Sequence, residues 1–344
     1  MEKKREEKLP PHESINRELH PILTRKYTLV TPMMRALVSE IVQWIKTGTT
    51  GGIVSGSSRV GKTKTRRFVA QTLPDFFPRL PTYSLIARLY KLPSERVFFG
   101  DMLKAFKHAM HAEGTAAQRR DRLVEGVVNI AQTSGQDRVV LLIDQAHNLL
   151  ETHYEWLVDF YEELNERGIE LSVFLFGQKE LITTYEELRR AGKNQIIARF
   201  MADRMEYFGI RSVNELKACL VCYDERSRFP EDSDWTYTRY FVPEAFAHGW
   251  RLASHADTFW KVFEEVNRRR LVPGRMEVTL QHFARTVERF LVDVELSDTG
   301  EPILSHSSLV QFVVATFDVP RPHQYSSLSD EEDDEEADEQ GAKR

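Results

Sequence analysis

Two spacings of apolar residues alternate along the first two thirds of the chain. Apolar positions three and four residues apart predict amphipathic helices over residues 33–45, 64–73, 101–111, 119–131 and 156–166. Short apolar runs predict strands over residues 52–55, 82–87, 139–143, 171–176 and 205–210. The run VVLLI at 139–143 is apolar throughout, which is typical of a parallel strand covered on both faces. The alternation predicts an α/β fold in which helices flank a parallel sheet.

The pattern changes after residue 212, where it predicts helices alone. These predicted helices cover residues 213–223, 243–248, 251–269 and 278–296. We therefore expect a core at 33–211 and a small helical lid domain at 212–319, with an N-terminal segment at 1–32. Residues 320–344 contain a run of aspartates and glutamates that cannot bury apolar surface, so a disordered acidic tail is expected there.

Composition limits the class of protein. The 344 residues include 47 Lys and Arg against 52 Asp and Glu, a formal net charge of −5. Without the tail, bases slightly outnumber acids, so a polyanionic partner is not excluded. No apolar stretch is long enough to cross a membrane and the start lacks a secretory signal, so we expect a cytoplasmic protein. Cys219 and Cys222 have no further ligands at zinc-finger spacing, which favours core packing over redox or metal chemistry.

A phosphate-binding motif connects the first strand to the next helix. The sequence GSSRVGKT at 56–63 satisfies G-x-x-x-x-G-K-[ST] at every fixed position. The two glycines let backbone amides face a β-phosphate, Lys62 reaches the β- and γ-phosphates, and the Thr63 hydroxyl coordinates Mg²⁺. The predicted ATP-binding residues are Gly56, Ser57, Ser58, Arg59, Val60, Gly61, Lys62, Thr63 and Lys64. ATP and Mg²⁺ are the expected ligands.

Two later strands end in polar residues that suit the same site. Asp144 follows the run VVLLI and predicts a Walker B carboxylate that holds magnesium through water. Many hydrolysing P-loop ATPases have a glutamate next, but this chain has Gln145, whose amide cannot accept a proton, so slow turnover is expected. His147 and Glu151 are alternative bases, although His147 also suits a helix start. Gln178 is placed to sense a γ-phosphate, or simply to cap its strand.

Together these motifs resemble a family of transposon ATPases. GSSRVGKT, VVLLIDQAHNL, VFLFGQKEL and IIARF, with YKLPSERVFFGDMLKAF at 90–106, are similar to the AAA+ ATPases TnsC and TniB over roughly residues 20–295. The secretion ATPase ExeA and the phage protein MuB are more distantly similar. The resemblance implies an AAA+ fold and an ATPase that forms rings or helical filaments on duplex DNA. Such an ATPase recruits transposase and links it to a target-selection protein or a guide-RNA complex.

The resemblance also implies roles for residues outside the P-loop. Arg199 in IIARF, or alternatively Arg204, would complete the site of a neighbouring subunit. Arg251 would be the lid arginine, with Arg275 as second choice, and Tyr27 would line the adenine pocket. The residues expected to contact DNA phosphates are Lys91 first, then Arg88, Arg96 and Arg119. Two other classes stay open: a secretion or signalling ATPase of the ExeA kind without a DNA ligand, and a helicase loader.

Overall fold

The sheet has five parallel strands in the order β2-β3-β4-β1-β5. Our computed structural model describes residues 17–270, 274–298, 300 and 302–317. The strands are β1 (Gly51–Ser55), β2 (Thr82–Ile86), β3 (Arg138–Asp144), β4 (Glu170–Gly177) and β5 (Asp203–Glu206). The prediction of a parallel sheet flanked by helices is confirmed.

Helices connect the strands and cover both faces of the sheet. The helices up to β5 are α1 (Pro21–Thr24), α2 (Pro32–Lys46), α3 (Lys62–Phe76), α4 (Glu95–Ala105), α5 (Ala116–Ser134), α6 (Glu151–Glu166), α7 (Glu180–Arg190) and α8 (Asn194–Phe200). Caps fix several of their starts. Thr31 accepts from the Met34 amide at 3.2 Å ahead of α2, and Thr115 forms a capping box with Gln118 ahead of α5.

The central strands have two buried faces, which explains their continuous apolar runs. On β3, Leu141 and Ile143 pack with helices α4 to α8, whereas Val140 and Leu142 pack with α2 and α3. Side chains alternate between faces along a strand, so both sets of positions must be apolar when both faces are covered. The edge strands β2 and β5 are only partly buried.

The region after residue 212 is helical and has its own core. Its helices are α9 (Val213–Val221), α10 (Tyr237–Phe241), α11 (Pro243–Ala247), α12 (Ala256–Arg269), α13 (Leu280–Val292) and α14 (His306–Phe317). We call this helical region the lid. Ile22 of α1 is buried in the lid cluster, and Tyr27 packs against it. The N-terminal segment therefore packs with the lid rather than with the sheet.

Several predicted boundaries were wrong for identifiable reasons. The helix expected at 101–111 is α4, which begins at Glu95 behind a Ser94 cap, and Met110 lies beyond it, 44% exposed. The last strand ends at Glu206, and Ile210 pairs instead with Val278 of the lid in an isolated antiparallel bridge. The helix expected at 251–269 starts with a short 3₁₀ turn, Leu252–His255. Helices α1, α7, α8, α10 and α14 were not predicted as helices.

Three further predictions concern the cysteines, the acidic tail and membrane crossing. Cys219 and Cys222 are buried free thiols, as core packing requires. The acidic tail lies outside the described residues. Within the described ranges, no helix combines the length and the apolar character needed to cross a membrane.

Candidate functional site

The P-loop connects β1 to α3 at the carboxyl edge of the sheet. Gly56 is needed because any Cβ there would overlap the Tyr207 carbonyl. Gly61 has φ +105°, a left-handed conformation that favours glycine, and α3 begins directly after it. The first turn of α3 therefore points its free amide groups into the loop, an arrangement that attracts anions.

The P-loop lysine is held by the loop itself. Lys62 Nζ donates to the carbonyl oxygens of Gly56 and Ser57, at 2.7 Å each. Burial lowers the pKa of Lys62 to about 8, and the nearby Asp144 carboxylate opposes that shift. The ammonium group is therefore already positioned inside the loop, where it can exchange carbonyl oxygens for phosphate oxygens.

Asp144 ends β3 and both of its carboxylate oxygens have partners. Oδ1 accepts the Gln145 amide at 2.9 Å, and Oδ2 accepts Arg66 Nε at 3.3 Å. The side chains of Asp144 and Arg66 are each 5% exposed. Sequence reasoning missed Arg66, although its position one turn after Thr63 on α3 places both residues on one helix face.

Gln178 lies between the P-loop and Asp144 because β4 lies between β1 and β3. Its backbone amide donates to His147 Nδ1 at 3.3 Å, and its side-chain amide lies 3.2 Å from His147 Nε2. Burial lowers the pKa of His147, so the ring is neutral near pH 7. Both ring nitrogens of His147 therefore lie against nitrogen atoms of Gln178, and the ring is engaged by that residue rather than free to act as a base.

Gln145, which stands where a glutamate is common, and Glu151, the other alternative base, are both engaged by neighbouring side chains. Gln145 has φ +53° and is exposed, and its Oε1 accepts from Asn148 Nδ2 at 3.3 Å. Glu151 forms an ion pair with Lys193 at 2.6 Å and does not line the site. Neither side chain is poised as a strong general base.

One cavity of about 540 Å³ joins these groups, a volume that suits a nucleotide. Its walls come from the N-terminal segment, the P-loop, the ends of β3 and β4, and α13 of the lid. The predicted residues that line it are Tyr27, Ser58, Arg59, Gly61, Lys62, Thr63, Lys64, Asp144, Gln145 and Gln178. Val60 instead packs in the core, and Ser57 contributes a carbonyl oxygen.

Helix α13 runs along this cavity from the P-loop towards Tyr27. The Gln281 amide donates to the Arg59 carbonyl at 3.3 Å, and Glu288, seven residues further along the helix, accepts from the Tyr27 hydroxyl at 2.8 Å. Seven residues of helix span about 10 Å, so these two contacts are well separated along the cavity. One end of the cavity therefore lies at the P-loop and the other at Tyr27.

The Tyr27 end of the cavity is a cluster of polar and aromatic groups. Tyr27 also shares a hydrogen bond of 2.8 Å with the Tyr223 hydroxyl, while Lys64 Nζ donates to the Tyr27 carbonyl at 2.8 Å. Burial raises the pKa of Tyr27 well above its usual value, so its hydroxyl stays protonated. Burial likewise raises the pKa of Glu288.

The donor set fits a magnesium ion. Thr63 and Asp144 line the same cavity and offer a hydroxyl and a carboxylate, the hard oxygen ligands that Mg²⁺ prefers. Two protein ligands are enough for Mg²⁺ when substrate phosphates and water complete the shell. When bound, the ion neutralises phosphate charge.

The predicted lid arginine lies outside the cavity. The Arg251 guanidinium sits 3.6 Å from the centre of the Phe246 ring and donates to the Phe246 and Trp250 carbonyls at 2.8 and 2.7 Å. Arg285 of α13 is the lid arginine that lines the cavity, and Arg275 does not line it. Sequence reasoning looked for glycine before a helix, whereas Arg285 lies within the helix, one turn after Gln281.

Arg199 lies far from the cavity of its own chain. Its guanidinium pairs with Glu162 and lies 5.4 Å from the centre of the Tyr161 ring. Its carbonyl accepts from Thr50, next to the amino end of β1, about 16 Å from the P-loop along the strand. Arg204 of β5 lies over the Tyr185 ring at 4.2 Å. Neither arginine completes the site within one chain.

The residues predicted to contact DNA fall into two groups. Arg88, Lys91 and Arg96 are exposed on and just after the loop that leaves β2. Arg119 is 7% exposed, and its guanidinium donates to three backbone carbonyls, those of Glu113 at 3.3 Å, Arg96 at 2.9 Å and Ala112. Arg119 is thus unsuited to phosphate contact, because its donors already hold the connection between α4 and α5.

One stretch of the chain matches a known protein family. Residues 45–184 match a family model described as "AAA domain". No curated protein matches the chain.

Several solved structures are similar to the chain. The ORC2 protein of Aeropyrum pernix, solved in ADPNP and ADP complexes, is 10% identical, with 86% of this chain and 97% of that chain covered and a TM-score of 0.44. The ORC1 protein of Aeropyrum pernix, solved in complex with DNA, is 14% identical, with 79% and 69% covered and a TM-score of 0.44. Domain III of the replication initiation protein DnaA from Thermotoga maritima is 12% identical, with 85% and 95% covered and a TM-score of 0.43.

The family match adds to what the geometry shows. The P-loop, the Asp144 strand and the inserted strand β4 all fall within the matched residues, and their order in the sheet brings them to one cavity. The chain therefore has the AAA+ P-loop fold, and its residues 45–184 match the model of an AAA domain.

Proposed function

We propose that this protein is an ATP-binding regulator of DNA transposition that hydrolyses ATP slowly. The observation that carries the nucleotide part is the meeting of Lys62, Asp144 and Gln178 around one cavity of about 540 Å³. In this proposal the P-loop amides and Lys62 bind the phosphates of ATP, Thr63 and Asp144 hold Mg²⁺, and the Tyr27 cluster takes the base.

Slow hydrolysis follows from the residues around the γ-phosphate position. Gln145 replaces a base with a neutral amide that already binds Asn148. Both ring nitrogens of His147 are occupied by the backbone and side-chain amides of Gln178. The site thus favours binding and sensing of ATP over proton abstraction. ATP binding, rather than turnover, would set the state of the protein.

The DNA part is supported by the loop that leaves β2. Arg88 and Lys91 are exposed cations on this loop, and cations that contact phosphates give affinity without sequence selectivity. Asn148 Nδ2 donates both to the Ala87 carbonyl at 3.0 Å and to Gln145 Oε1 at 3.3 Å. One side chain thus bridges the residue after Asp144 and the start of the basic loop. This bridge supports coupling between the nucleotide and DNA.

Oligomerisation and transposition rest on the resemblance to TnsC and TniB and on the position of Arg199. Arg199 lies away from its own cavity, so any nucleotide that it contacts would be bound to a neighbouring copy. The proposed assembly is a ring or helical filament on duplex DNA. It would bridge transposase to a target-selection protein or a guide-RNA complex.

The experiment is electron microscopy of the full chain with long duplex DNA and a non-hydrolysable ATP analogue, with ADP, or without nucleotide. Filaments or rings on DNA in the analogue alone support the proposal, and Lys62→Ala should abolish them. ATP binding without DNA association at low salt would refute the DNA part and leave the nucleotide part standing. Retention of a purified cognate transposase by the assembled DNA complex then tests the role in transposition.

A further inference from the structure

The ion pair between Arg66 and Asp144 is the most buried charge pair among the described residues of the site. Arg66 Nε lies 3.3 Å from Asp144 Oδ2, and each side chain is 5% exposed. Arg66 comes from α3, the helix that also carries Lys62 and Thr63, so the pair joins the P-loop helix to the end of β3. A buried pair of this kind is costly to separate because each charge has lost its water.

The pair has a consequence for cation binding. Asp144 already has a resident positive partner at Oδ2 and a backbone donor at Oδ1. A divalent cation that approaches Asp144 without a nucleotide meets the repulsion of the guanidinium in a site where charges are poorly screened. When the cation arrives bound to a triphosphate, the negative charge of the phosphates offsets this repulsion.

We propose that Arg66 is the resident counter-ion of Asp144 and prevents this carboxylate from holding a divalent cation until a nucleotide brings one. Arg66 is thus a positioning residue that makes the metal and ATP bind together. The inference rests on the proposed nucleotide function, in which Asp144 holds magnesium. It predicts that loss of the Arg66 charge creates metal affinity in the protein alone.

The test measures Mn²⁺ binding by electron paramagnetic resonance, with the full chain and no nucleotide. The acidic tail is a second place for Mn²⁺, so each background is measured with Asp144 intact and with Asp144→Asn. The difference between the two reports binding at Asp144 alone. Arg66→Met removes the charge, Arg66→Gln removes it but keeps a donor for Asp144, and Arg66→Lys keeps the charge.

We expect no Asp144-dependent Mn²⁺ binding in the wild type or in Arg66→Lys. In Arg66→Met or Arg66→Gln, Asp144-dependent binding should appear, at least about tenfold tighter than any in the wild type. Two neutral variants guard against a folding defect in one of them, which circular dichroism would reveal. Equal binding in charged and neutral backgrounds, whether strong or absent, would overturn the proposal.

A separate titration with a fluorescent ATP analogue and Mg²⁺ keeps the two proposals distinguishable. If the wild type binds no nucleotide, the proposed function fails, yet the Mn²⁺ comparison still decides whether Arg66 shields Asp144. If nucleotide binds normally and the neutral variants gain no Mn²⁺ affinity, the counter-ion role fails alone.

Discussion

Arg119 and Lys91 give a paired test because sequence reasoning gave both the same role and the structure separates them. Arg119 is 7% exposed, and its guanidinium fills the space beside Gly100, where an added Cβ would lie 2.5 Å from Arg119 Nη1. Lys91 is exposed on the loop after β2. We predict that Arg119→Met destabilises the fold, whereas Lys91→Met weakens DNA binding and leaves the fold intact.

The magnitude for Arg119→Met follows from its hydrogen bonds. The guanidinium donates to the carbonyls of Glu113, Arg96 and Ala112, and methionine keeps the apolar stem but no donor. Hydrogen bonds from a charged donor contribute about 1.5–3 kcal/mol each. Counting only the bonds to Arg96 and Ala112, because the bond to Glu113 is long at 3.3 Å, the free energy of unfolding should fall by about 3–6 kcal/mol. At about 2 °C per kcal/mol for a chain of this size, Tm should fall by about 6–12 °C.

The assays are thermal unfolding by circular dichroism and DNA affinity measured over a range of salt concentrations. Lys91→Met should leave Tm within about 1 °C, because surface substitutions cost little. It should also reduce the slope of log affinity against log salt by about one, as the loss of a phosphate contact does. An unchanged Tm in Arg119→Met together with a reduced salt slope would refute the structural role and restore Arg119 as a DNA contact.

Three further outcomes are expected. Gln145→Glu should raise the steady-state rate of ATP hydrolysis by about 10²-fold because it supplies a general base. This is the low end of the rate gain from a general base, because Asn148 already donates to the side chain at position 145. An unchanged rate with normal ATP binding would show that position 145 does not limit turnover. ATP affinity measured by calorimetry should fall by about tenfold per pH unit above pH 8. The reason is that the pKa of Lys62 is lowered to about 8 and only its charged form binds phosphate. Lys62→Arg should remove this pH dependence. Arg199→Ala should keep ATP binding but lose the hydrolysis measured in the DNA-bound assembly, because the neighbouring site loses its arginine. A wild-type rate in the assembled variant would mean that a different arginine completes that site.

The local pattern of apolar and polar residues was sufficient to predict the order of strands and most helices in the sheet domain. Each central strand is short, apolar and followed by a polar residue at its carboxyl end, so Asp144 and Gln178 were identified as site residues from their neighbours alone. The P-loop was equally local, since its glycines, lysine and threonine act within eight consecutive positions. The pattern of apolar residues did not predict the start of a helix where a capping residue sets it, as Ser94 does for α4.

The burial of charged side chains could not be predicted from the residues next to them in the chain. Arg119 and Arg88 are both arginines in basic stretches, but one donates to three carbonyls and the other is exposed. Nothing in the neighbouring residues distinguishes them, because the acceptors of Arg119 come from the start of α4 and from the connection between α4 and α5. The same reason hid Arg66, whose partner Asp144 is 78 residues away in the chain.

The sequence by itself therefore determined the P-loop, the apolar strands and the polar residues at their ends, because these depend on residues close together in the chain. Only the tertiary structure decided that β4 enters the sheet between β1 and β3, that Arg285 rather than Arg251 lines the cavity, and that Arg66 neutralises Asp144. These features depend on which distant segments pack together. That packing is set by the summed burial of both faces of the sheet and of the lid, which no single stretch of the chain specifies.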